Sequence, residues 1–354
     1  MAIISDDEQF NSKPKKTVLV KPELNEYDKT FENNIRPKAF ESYIGQTGLK
    51  ETLKISISAA QKRGVTLDHV LLYGPPGLGK TTLAGVIAQE MGVGLKITSA
   101  PSLERPRDII GILMSLKPGE VLFIDEIHRL NKLSEEILYS AMEDFYLDMT
   151  TGKTQSVKMM RIPIVKFTLI GATTKAGDLS NPLRDRFGLI HRLQFYTIDE
   201  LVQVVKRSAD ILHIDISDDG AVEIASRSRG TPRVANRLLK RVGDFALVKY
   251  SGKITKEVAQ DSLGVLDIDG KGLSATDRHF LRLISEKYNG GPVGIDTLAA
   301  AMGEDVRTIE DVCEPYLLQM GFLQRTPRGR KVTEEALKYL GIKLNGCNQT
   351  TLFD

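Results

Sequence analysis

The sequence GPPGLGKTT, which runs from Gly74 to Thr82, matches the pattern G-x-x-x-x-G-K-[ST] of a phosphate-binding P-loop. The apolar run Val70–Tyr73 precedes it and is short enough for a buried strand. Apolar residues at helical spacing follow it up to Met91, and Gly92 is placed to end the helix. A strand, a glycine turn and a helix N-terminus direct backbone N–H groups at a bound phosphate. The stretch therefore predicts a nucleoside triphosphate site rather than an ordinary Gly/Pro-rich turn.

Each residue type in this loop suits phosphate binding. Gly77 and Gly79 allow the backbone to approach the phosphates with no side chain in the way. Lys80 is expected to reach the β- and γ-phosphate oxygens, and the Thr81 hydroxyl is expected to ligate Mg²⁺.

Strand-like apolar runs recur through the first half of the chain. They are Val70–Tyr73, Leu95–Thr98, Val121–Ile124, Phe167–Ile170 and Leu189–Phe195. Helical patterns or loops separate most of them, which predicts an α/β fold with a parallel sheet covered on both faces. Residues Met149–Lys166 make too long a segment for a plain loop, and their alternating Met160, Ile162 and Ile164 predict a projecting β-hairpin with one apolar face.

The second half of the chain is dominated by helical patterns. They run from Ile198 to about Leu266, and the Asp/Gly-rich segment Asp267–Gly272 is typical of a linker. Three further helical stretches and a hairpin turn at Thr326–Gly329 predict a winged helix. The predicted organisation is a mobile tail (1–30), a large P-loop domain (31–196), a small helical lid (197–267), a winged-helix domain (268–343) and a second tail (344–354).

Composition indicates an ordinary soluble protein, with 41% hydrophobic and 27% charged residues among 354. No apolar run approaches membrane-spanning length and the start lacks the order of a signal peptide, so a cytoplasmic location without membrane contact is expected. Cys313 and Cys347 lie far apart, which argues against a zinc site or a disulfide framework, and Cys313 is expected to pack as a small apolar residue. The net charge of +2 means that nucleic-acid binding would depend on local patches.

Two carboxylates follow the strand-like run Val121–Ile124. Asp125 is expected to hold Mg²⁺ through water, and Glu126 is expected to polarise the attacking water. Acids at a strand end often do no more than cap the next helix, but their combination with a P-loop favours the catalytic interpretation. His128, one turn further on, is expected to have a structural role.

Two further positions are candidates for contact with the γ-phosphate region. Thr174, after the run Phe167–Ile170, is expected to hydrogen-bond the γ-phosphate or the water, although such a residue can also make an ordinary turn bond. The segment NPLRDRFG carries Arg184 and Arg186, which are either surface ion-pair residues or an arginine finger that reaches a neighbouring subunit. A finger contributes about 10³–10⁵ in rate, so a lone subunit is expected to be a poor ATPase.

Two basic segments have both a plain and a functional interpretation. Six basic residues and no acids lie between Arg227 and Arg241, which is typical of a solvated helix face, but Arg233 at the helix start could bridge the lid to the γ-phosphate. The predicted wing carries a second cluster: Arg325, Arg328, Arg330 and Lys331. Four phosphate contacts give a salt slope of only about −4, so one wing would bind DNA weakly and several would have to act together. An exposed basic turn is the alternative.

These features, in this order, resemble an AAA+ ATPase and, more closely, the RuvB family of Holliday-junction branch-migration motors. The stretches that carry the resemblance are GPPGLGKTT (74–82), LFIDEIHRL (122–130), GATT (171–174), PLRDRFG (182–188), GTPRVANRLL (230–239), GGPVGIDTLAAA (290–301) and QMGFLQRTPRGR (319–330). The implied fold is an AAA+ P-loop core with a parallel sheet, a helical lid domain and a C-terminal winged helix. The implied function is an ATP-driven ring helicase that pulls duplex DNA to branch-migrate Holliday junctions in recombination, repair and the SOS response.

The resemblance also implies residue roles. Implied catalytic residues are Lys80, Asp125, Glu126, Thr174 (sensor 1, with Thr173 as its neighbour), Arg186 (the finger, rather than Arg184) and Arg233 (sensor 2). Implied ATP-binding residues are Ile35, Arg36, Gly77, Leu78, Gly79, Lys80, Thr81, Thr82, Glu143, Asp144, Phe145, Tyr196 and Arg233, with Thr81 and Asp125 at Mg²⁺. Implied DNA contacts are Arg307, Arg325, Arg328 and Arg330.

The partners implied are duplex DNA, Holliday junctions, further copies of the chain in a homo-hexamer, and the junction-recognising protein RuvA, which would dock on the 149–166 hairpin. Two alternatives from other classes stay open at this point. One is an ATP-switched DNA-binding initiator, which shares the AAA+ core and winged helix but turns ATP over slowly. The other is a clamp-loader subunit, which normally lacks a DNA-binding wing.

Overall fold

The computed structural model describes residues 34–151 and 158–342. Residues 34–36 belong to one compact unit and residues 37–151 and 158–342 to a second, which holds all the elements below. The predicted tails, 1–30 and 344–354, lie outside the described residues.

Parallel strands form the centre of the P-loop domain. They are β1 (Val70–Tyr73), β2 (Leu95–Ser99), β3 (Val121–Asp125), β6 (Thr168–Thr173) and β7 (Leu189–Arg192). Their order across the sheet is β2-β3-β6-β1-β7, and each neighbouring pair is parallel. The parallel sheet predicted from the sequence is confirmed.

Two strand ends differ from the prediction by more than one residue. The apolar run Leu189–Phe195 forms a strand only as far as Arg192, because β7 is an edge strand whose partner β1 ends at Tyr73, opposite Arg192. Strand β6 instead extends beyond Ile170 to Thr173, because β1 continues beside it to that residue. The extension places Gly171, Ala172 and Thr173 inside the sheet, beyond the predicted end of the strand.

Helices cover both faces of this sheet. They are α1 (Thr47–Arg63), α2 (Lys80–Met91), α3 (Pro106–Met114), α4 (Lys132–Asp144) and the short α5 (Asn181–Asp185). Alternate residues of β1 point to opposite faces, so Leu72 packs in the core that contains α1 and α2, whereas Leu71 packs in the core that contains α3 and α4. Helix α2 begins at Lys80, directly after the glycine turn, and ends before Gly92.

The predicted hairpin is present and starts earlier than expected. Strand β4 (Tyr146–Thr151) pairs antiparallel with β5 (Lys158–Pro163), with Leu147 opposite Ile162. It begins at Tyr146 because α4 ends at Asp144, where the left-handed backbone of the C-cap Phe145 turns the chain, and because Leu147 is buried in the domain core. Residues 152–157 of the predicted hairpin lie outside the described residues.

The lid and the winged helix follow in the predicted order, and the predicted fold class is confirmed. The lid consists of α6 (Ile198–Leu212), α7 (Asp218–Ser226), α8 (Pro232–Lys249) and α9 (Lys256–Val265). The winged-helix helices are α10 (Ala275–Arg282, continued as a π-helical turn to Lys287), α11 (Ile295–Met302), α12 (Val306–Thr308, followed by a π-helical turn to Cys313) and α13 (Glu314–Gln319). The wing is β8 (Leu323–Thr326) paired antiparallel with β9 (Gly329–Val332).

Helix α14 (Glu334–Leu340) follows the wing and is an element that the sequence pattern did not predict. Its signal is Thr333, which accepts a hydrogen bond from the Ala336 amide as an N-cap, followed by two acids in the first turn. Cys313 lies in the winged-helix core as expected, and burial raises the pKa of its thiol to about 12. None of the helices in the described part of the chain combines the length and the apolar character needed to cross a membrane.

Candidate functional site

The phosphate loop connects β1 to α2 at the carboxyl edge of the sheet. Gly77 and Gly79 adopt φ angles of 82° and 94°, in the left-handed region that L side chains rarely enter. A Cβ atom at Gly77 would lie 3.2 Å from the Cβ of Arg233, so the lid helix α8 closes over this glycine. The Arg233 amide donates a long hydrogen bond, 3.4 Å, to the Gly77 carbonyl. The structure therefore brings the predicted P-loop and the predicted sensor 2 residue together.

Lys80 is the central cation of the site. Its side chain donates to the carbonyl oxygens of Gly74 at 2.8 Å and Pro75 at 3.1 Å, and the residue is only 8% exposed. Burial lowers the pKa of the ammonium group, while the charges of Glu126 and Asp125 act to raise it. A buried cation and backbone N–H groups are the donors that bind the phosphates of a nucleoside triphosphate, so this site suits such an anionic ligand.

Oxygen ligands for a divalent cation lie at the same edge. Thr81 is half-buried in the first turn of α2, and Asp125 ends β3. The pKa of Asp125 is raised by burial and by the nearby Glu126 carboxylate. Among the described residues, no group of three His, Cys, Asp or Glu side chains is placed to hold a metal ion. A hydroxyl and one carboxylate fit Mg²⁺ as it binds to nucleotides, where phosphate oxygens and water complete the shell.

Glu126 is held by two neighbours at the end of β3. The Thr174 hydroxyl donates to Glu126 Oε2 at 3.2 Å, and His128 Nδ1 lies 3.2 Å from the same oxygen. Glu126 itself has a φ of 49°, an uncommon conformation for a residue other than glycine and one that often occurs at functional sites. Two strands, β3 and β6, thus place an acid and a hydroxyl side by side near Lys80.

The neighbouring Thr173 has a different environment. It is fully buried, and its hydroxyl oxygen lies 2.9 Å from His128 Nδ1 and accepts a hydrogen bond from the Lys175 amide. Of the two threonines, only Thr174 contacts the carboxylate directly. His128, which was expected to have a structural role, lies between Thr173 and Glu126, an arrangement that no local sequence pattern indicated.

Tyr196 lies at the joint between the P-loop domain and the lid. Its amide donates to the Gly230 carbonyl at 2.9 Å, and its hydroxyl lies 3.4 Å from the Tyr43 hydroxyl. A Cβ atom at Gly79 would lie 3.3 Å from the Tyr43 hydroxyl, so this pair borders the phosphate loop. Ile35 and Arg36 belong to the short N-terminal unit, and their assignment to an adenine pocket stays a prediction.

Arg186 lies at the amino edge of the sheet, where the parallel strands begin, whereas the P-loop lies at the carboxyl edge, where they end. The loop follows the end of β1, whereas Arg186 precedes the start of β7, which runs parallel to β1 with Val70 opposite Leu189. The four residues of these strands separate the two positions by about 13 Å at 3.3 Å per residue. Arg186 is therefore not part of the cluster around Lys80 within one chain.

The Arg186 side chain has partners on helix α4. It donates to the Tyr139 hydroxyl at 2.6 Å and to Glu143 Oε2 at 2.7 Å, and its guanidinium lies over the Tyr139 ring. Arg184 points elsewhere and donates to Asn181 Oδ1 at 3.0 Å. The neighbouring Asp144 accepts from Arg161 of the hairpin at 2.6 Å, and Phe145 packs edge-on against Phe167. Glu143, Asp144 and Phe145 thus lie with Arg186 rather than with Lys80.

The predicted DNA-binding arginines differ in how they are engaged. Arg307 and Arg328 are exposed, the first at the start of α12 and the second at the tip of the wing. Arg325 and Arg330 both donate through Nε at 2.7 Å to Glu314, which is fully buried. Arg330 also donates to Glu310 at 2.9 Å and is largely buried itself. Two of the arginines expected to contact DNA therefore form ion pairs that hold the wing against helix α13.

Replacing Arg330 with Met is expected to lower the free energy of unfolding by about 3 kcal/mol, because Glu314 loses one of its two cations in a buried site. The double variant Arg330→Met/Glu314→Gln removes the buried charge as well and should recover most of that loss. Urea denaturation of the full-length chain measures both. Equal stability of the single variant and the wild type would contradict a structural role for this ion pair.

The same variants separate folding from DNA binding. If Arg330 also contacts a phosphate, the double variant should bind duplex DNA with a salt slope smaller by about 1 than the wild type. Arg328→Met is the matched control, because this exposed residue should change the salt slope without changing stability.

Family models match the chain in three consecutive segments. Residues 35–193 match the "Holliday junction DNA helicase RuvB P-loop domain", residues 196–269 the "RuvB AAA lid domain", and residues 270–341 the "RuvB C-terminal winged helix domain". The three matches cover the P-loop domain, the lid and the winged helix described above.

Individual relatives and solved structures agree with these models. The "Holliday junction branch migration complex subunit RuvB" of Nostoc sp. is 58% identical over 336 residues, which cover 94% of this chain and 91% of the relative. The protein of the same name from Crocosphaera subtropica is 56% identical over 351 residues, 99% of each chain. The solved Thermotoga maritima RuvB "Holliday junction branch migration motor" superposes with a TM-score of 0.80 at 50% identity, covering 88% of this chain and 100% of that one.

Proposed function

This chain belongs to the RuvB family, whose members are ATP-driven motors of Holliday-junction branch migration, and we propose that its ATP site is shared between two subunits. The chain is accordingly an ATPase and DNA helicase that acts in recombination and repair. The observation that carries the shared site is the location of Arg186, at the sheet edge opposite the P-loop.

Within one subunit, the residues at the carboxyl edge of the sheet bind and orient the nucleotide. Lys80 and the amides of residues 77–82 hold the β- and γ-phosphates, and Thr81 and Asp125 would hold Mg²⁺, which would supply positive charge next to the phosphate oxygens. Glu126 accepts a proton from the attacking water, and the contacts of its Oε2 with Thr174 and His128 fix the orientation of the carboxylate. Arg233, which α8 brings to Gly77, connects the γ-phosphate to the lid.

The neighbouring subunit supplies Arg186. Its contacts with Tyr139 and Glu143 hold the guanidinium at a surface and leave it more than a third exposed. Glu143 to Phe145 share this location, so their predicted closeness to nucleotide also fits a site completed by a neighbour. A finger supplied in this way makes hydrolysis depend on assembly.

Assembly and partners complete the proposal. A homo-hexamer encircling duplex DNA would present several wings at once, and the exposed Arg307 and Arg328 are the wing-domain residues best placed for phosphates. The hairpin exposes Met160 and half-exposes Ile162, an apolar surface that suits docking of the junction-binding partner RuvA. A cytoplasmic location and a place in the SOS response follow from the same family membership as predictions.

The test measures ATP hydrolysis with and without closed circular duplex DNA, and the conversion of a synthetic four-way junction into duplex products with purified RuvA. We expect DNA to stimulate hydrolysis, and conversion to require both ATP and the partner. Slow turnover that DNA leaves unchanged would support the initiator alternative, which the family matches do not favour. A clamp loader is likewise disfavoured, because the third family model matches a winged helix of the RuvB type.

A further inference from the structure

The loop between α7 and α8 contacts two domains within five residues, 227–231. Towards the nucleotide site, a Cβ atom at Gly77 would lie 3.6 Å from the Cβ of Thr231 and 3.2 Å from that of Arg233. Thr231 is fixed in turn by its amide, which donates to the Ser228 carbonyl at 3.0 Å. One end of the loop therefore packs on the phosphate-binding turn.

The other end of the loop is bonded to the winged helix. Arg229 donates through Nε to the Gly272 carbonyl at 2.8 Å and through Nη2 to Asp277 Oδ2 at 2.5 Å. Its guanidinium lies 5.2 Å from the centre of the Tyr316 ring. A Cβ atom at Gly272 would lie 2.7 Å from the Arg227 carbonyl oxygen, so the backbones of loop and linker are in direct contact.

The ion pair between Arg229 and Asp277 is largely buried, so neither partner can be removed alone without loss of stability. Asp277 is 1% exposed, and it also accepts hydrogen bonds from the Ser274 amide and hydroxyl at the start of α10. Arg229 is the cation paired with this carboxylate, and a buried carboxylate that loses its cation is strongly destabilised. Arg229 also has a φ of 53°, a conformation that needs support from its surroundings in a residue other than glycine.

Hydrogen bonds hold the linker, Asp267–Gly272, against the winged-helix domain. Tyr316 donates to the Lys271 carbonyl at 2.6 Å, Asp269 accepts from the Leu273 amide at 2.9 Å, and Tyr339 of α14 also donates to Asp269. A flexible linker would let the lid move without moving the wing. Here a displacement at the start of α8 must either move α10 with it or break the bonds of Arg229.

We propose that Arg229 is the positioning residue that transmits the nucleotide state of the P-loop to the DNA-binding winged helix. The path is short: the Gly77 carbonyl accepts from the Arg233 amide at the start of α8, and Arg229, in the loop that leads into α8, holds Asp277, Gly272 and Tyr316. The inference rests on the proposed function, and it assigns the coupling step of that function to a residue outside both the ATP site and the DNA-binding surface.

The test is a linkage experiment on the full-length chain. The dissociation constant of a fluorescein-labelled duplex is measured without nucleotide and with Mg²⁺ and a slowly hydrolysed ATP analogue, and the ratio of the two is the coupling factor. In Arg229→Ala we expect this factor to approach 1, a reduction of about 2- to 30-fold, which is the range for residues that couple two sites. DNA-free ATP hydrolysis should stay within about twofold of the wild type, whereas its stimulation by DNA should be lost.

Three further variants keep the result interpretable. Arg229→Ala/Asp277→Asn removes both charges and leaves an oxygen to accept from the Ser274 amide, so it should fold if the single variant does not. Arg229→Lys retains a charge for Asp277 but cannot also reproduce the planar contacts to Gly272 and Tyr316, so partial coupling is expected. Arg278→Ala is the matched control, because the Arg278 side chain bonds Asp267 and Asp269 of the linker and the adjoining Leu273 carbonyl, and none of its described side-chain bonds reaches the loop 227–231.

Two results would contradict the role of Arg229, and a third would contradict the proposed function. A coupling factor in Arg229→Ala and in the double variant equal to that of the wild type would overturn the inference. So would an equal weakening of DNA binding with and without nucleotide, because it indicates a merely structural role. If the wild type shows neither a nucleotide effect on DNA affinity nor junction conversion, the proposed function fails first, and the inference fails with it.

Discussion

The Arg186→Ala variant is expected to lose at least about 10³-fold in kcat for ATP hydrolysis, because a finger that stabilises transition-state charge contributes about 10³–10⁵ in rate. Its folding should be unaffected, since Arg186 and Glu143 are each more than a third exposed and such pairs contribute little to stability. Nucleotide binding should persist, because Lys80, Thr81 and Asp125 lie at the other edge of the sheet.

Mixing two inactive variants distinguishes an ATP site shared between subunits from a site within one chain. An equal mixture of Arg186→Ala with Lys80→Ala should regain hydrolysis at about a quarter of the interfaces, those where an intact P-loop meets an intact finger. Arg184→Ala is the matched control and should retain activity, because the Arg184 side chain donates to Asn181 of its own helix, α5, rather than to helix α4. Full activity in Arg186→Ala, or no recovery on mixing, would disprove the assignment in trans.

The Glu126→Gln variant is expected to bind nucleotide but to hydrolyse it about 10²–10⁴-fold more slowly, which is the typical contribution of a general base. Glutamine keeps the shape of the side chain and an oxygen for the Thr174 hydroxyl, but it cannot take a proton from water. Removing this negative charge also leaves Lys80 with one fewer acid nearby, so affinity for an anionic nucleotide should be equal or higher.

Two measurements check this variant: single-turnover hydrolysis and the dissociation constant of a fluorescent ATP analogue. Thr174→Val removes only the hydrogen bond to Glu126 and should lower the rate of hydrolysis by about 10- to 100-fold, the value of one hydrogen bond to a charged group. Hydrolysis at the wild-type rate in Glu126→Gln would show that another group activates the water.

The parts of the site that the sequence predicted are those defined by local pattern. The P-loop, Asp125 and Glu126 each follow an apolar run that forms a strand, and strands of a parallel sheet end at a common edge. Knowing the strands was therefore enough to place these groups together. The winged helix was predicted for the same reason, since its helices and its turn each have a local signature.

The contacts that the sequence could not predict join residues far apart in the chain. Arg229 and Asp277 are 48 positions apart, and Thr173 and His128 are 45 apart. The basic wing contains no acid of its own, so its neutralisation by Glu314 and Glu310 of a preceding helical segment became visible only in three dimensions. Pairing at such separations depends on how whole elements pack, which no short pattern encodes.

If the P-loop edge of one sheet meets the Arg186 edge of the next copy, the separation of these two edges also determines the polarity of the assembly. Two copies that meet through these edges use different surfaces, so their contact is heterologous and has no twofold axis. Repetition of such a contact gives a closed cyclic ring or an open filament, and every copy then faces the same way. A ring built like this has two unlike openings. Duplex DNA in its bore would be moved in a direction fixed by how the ring was loaded, without any need to read base sequence.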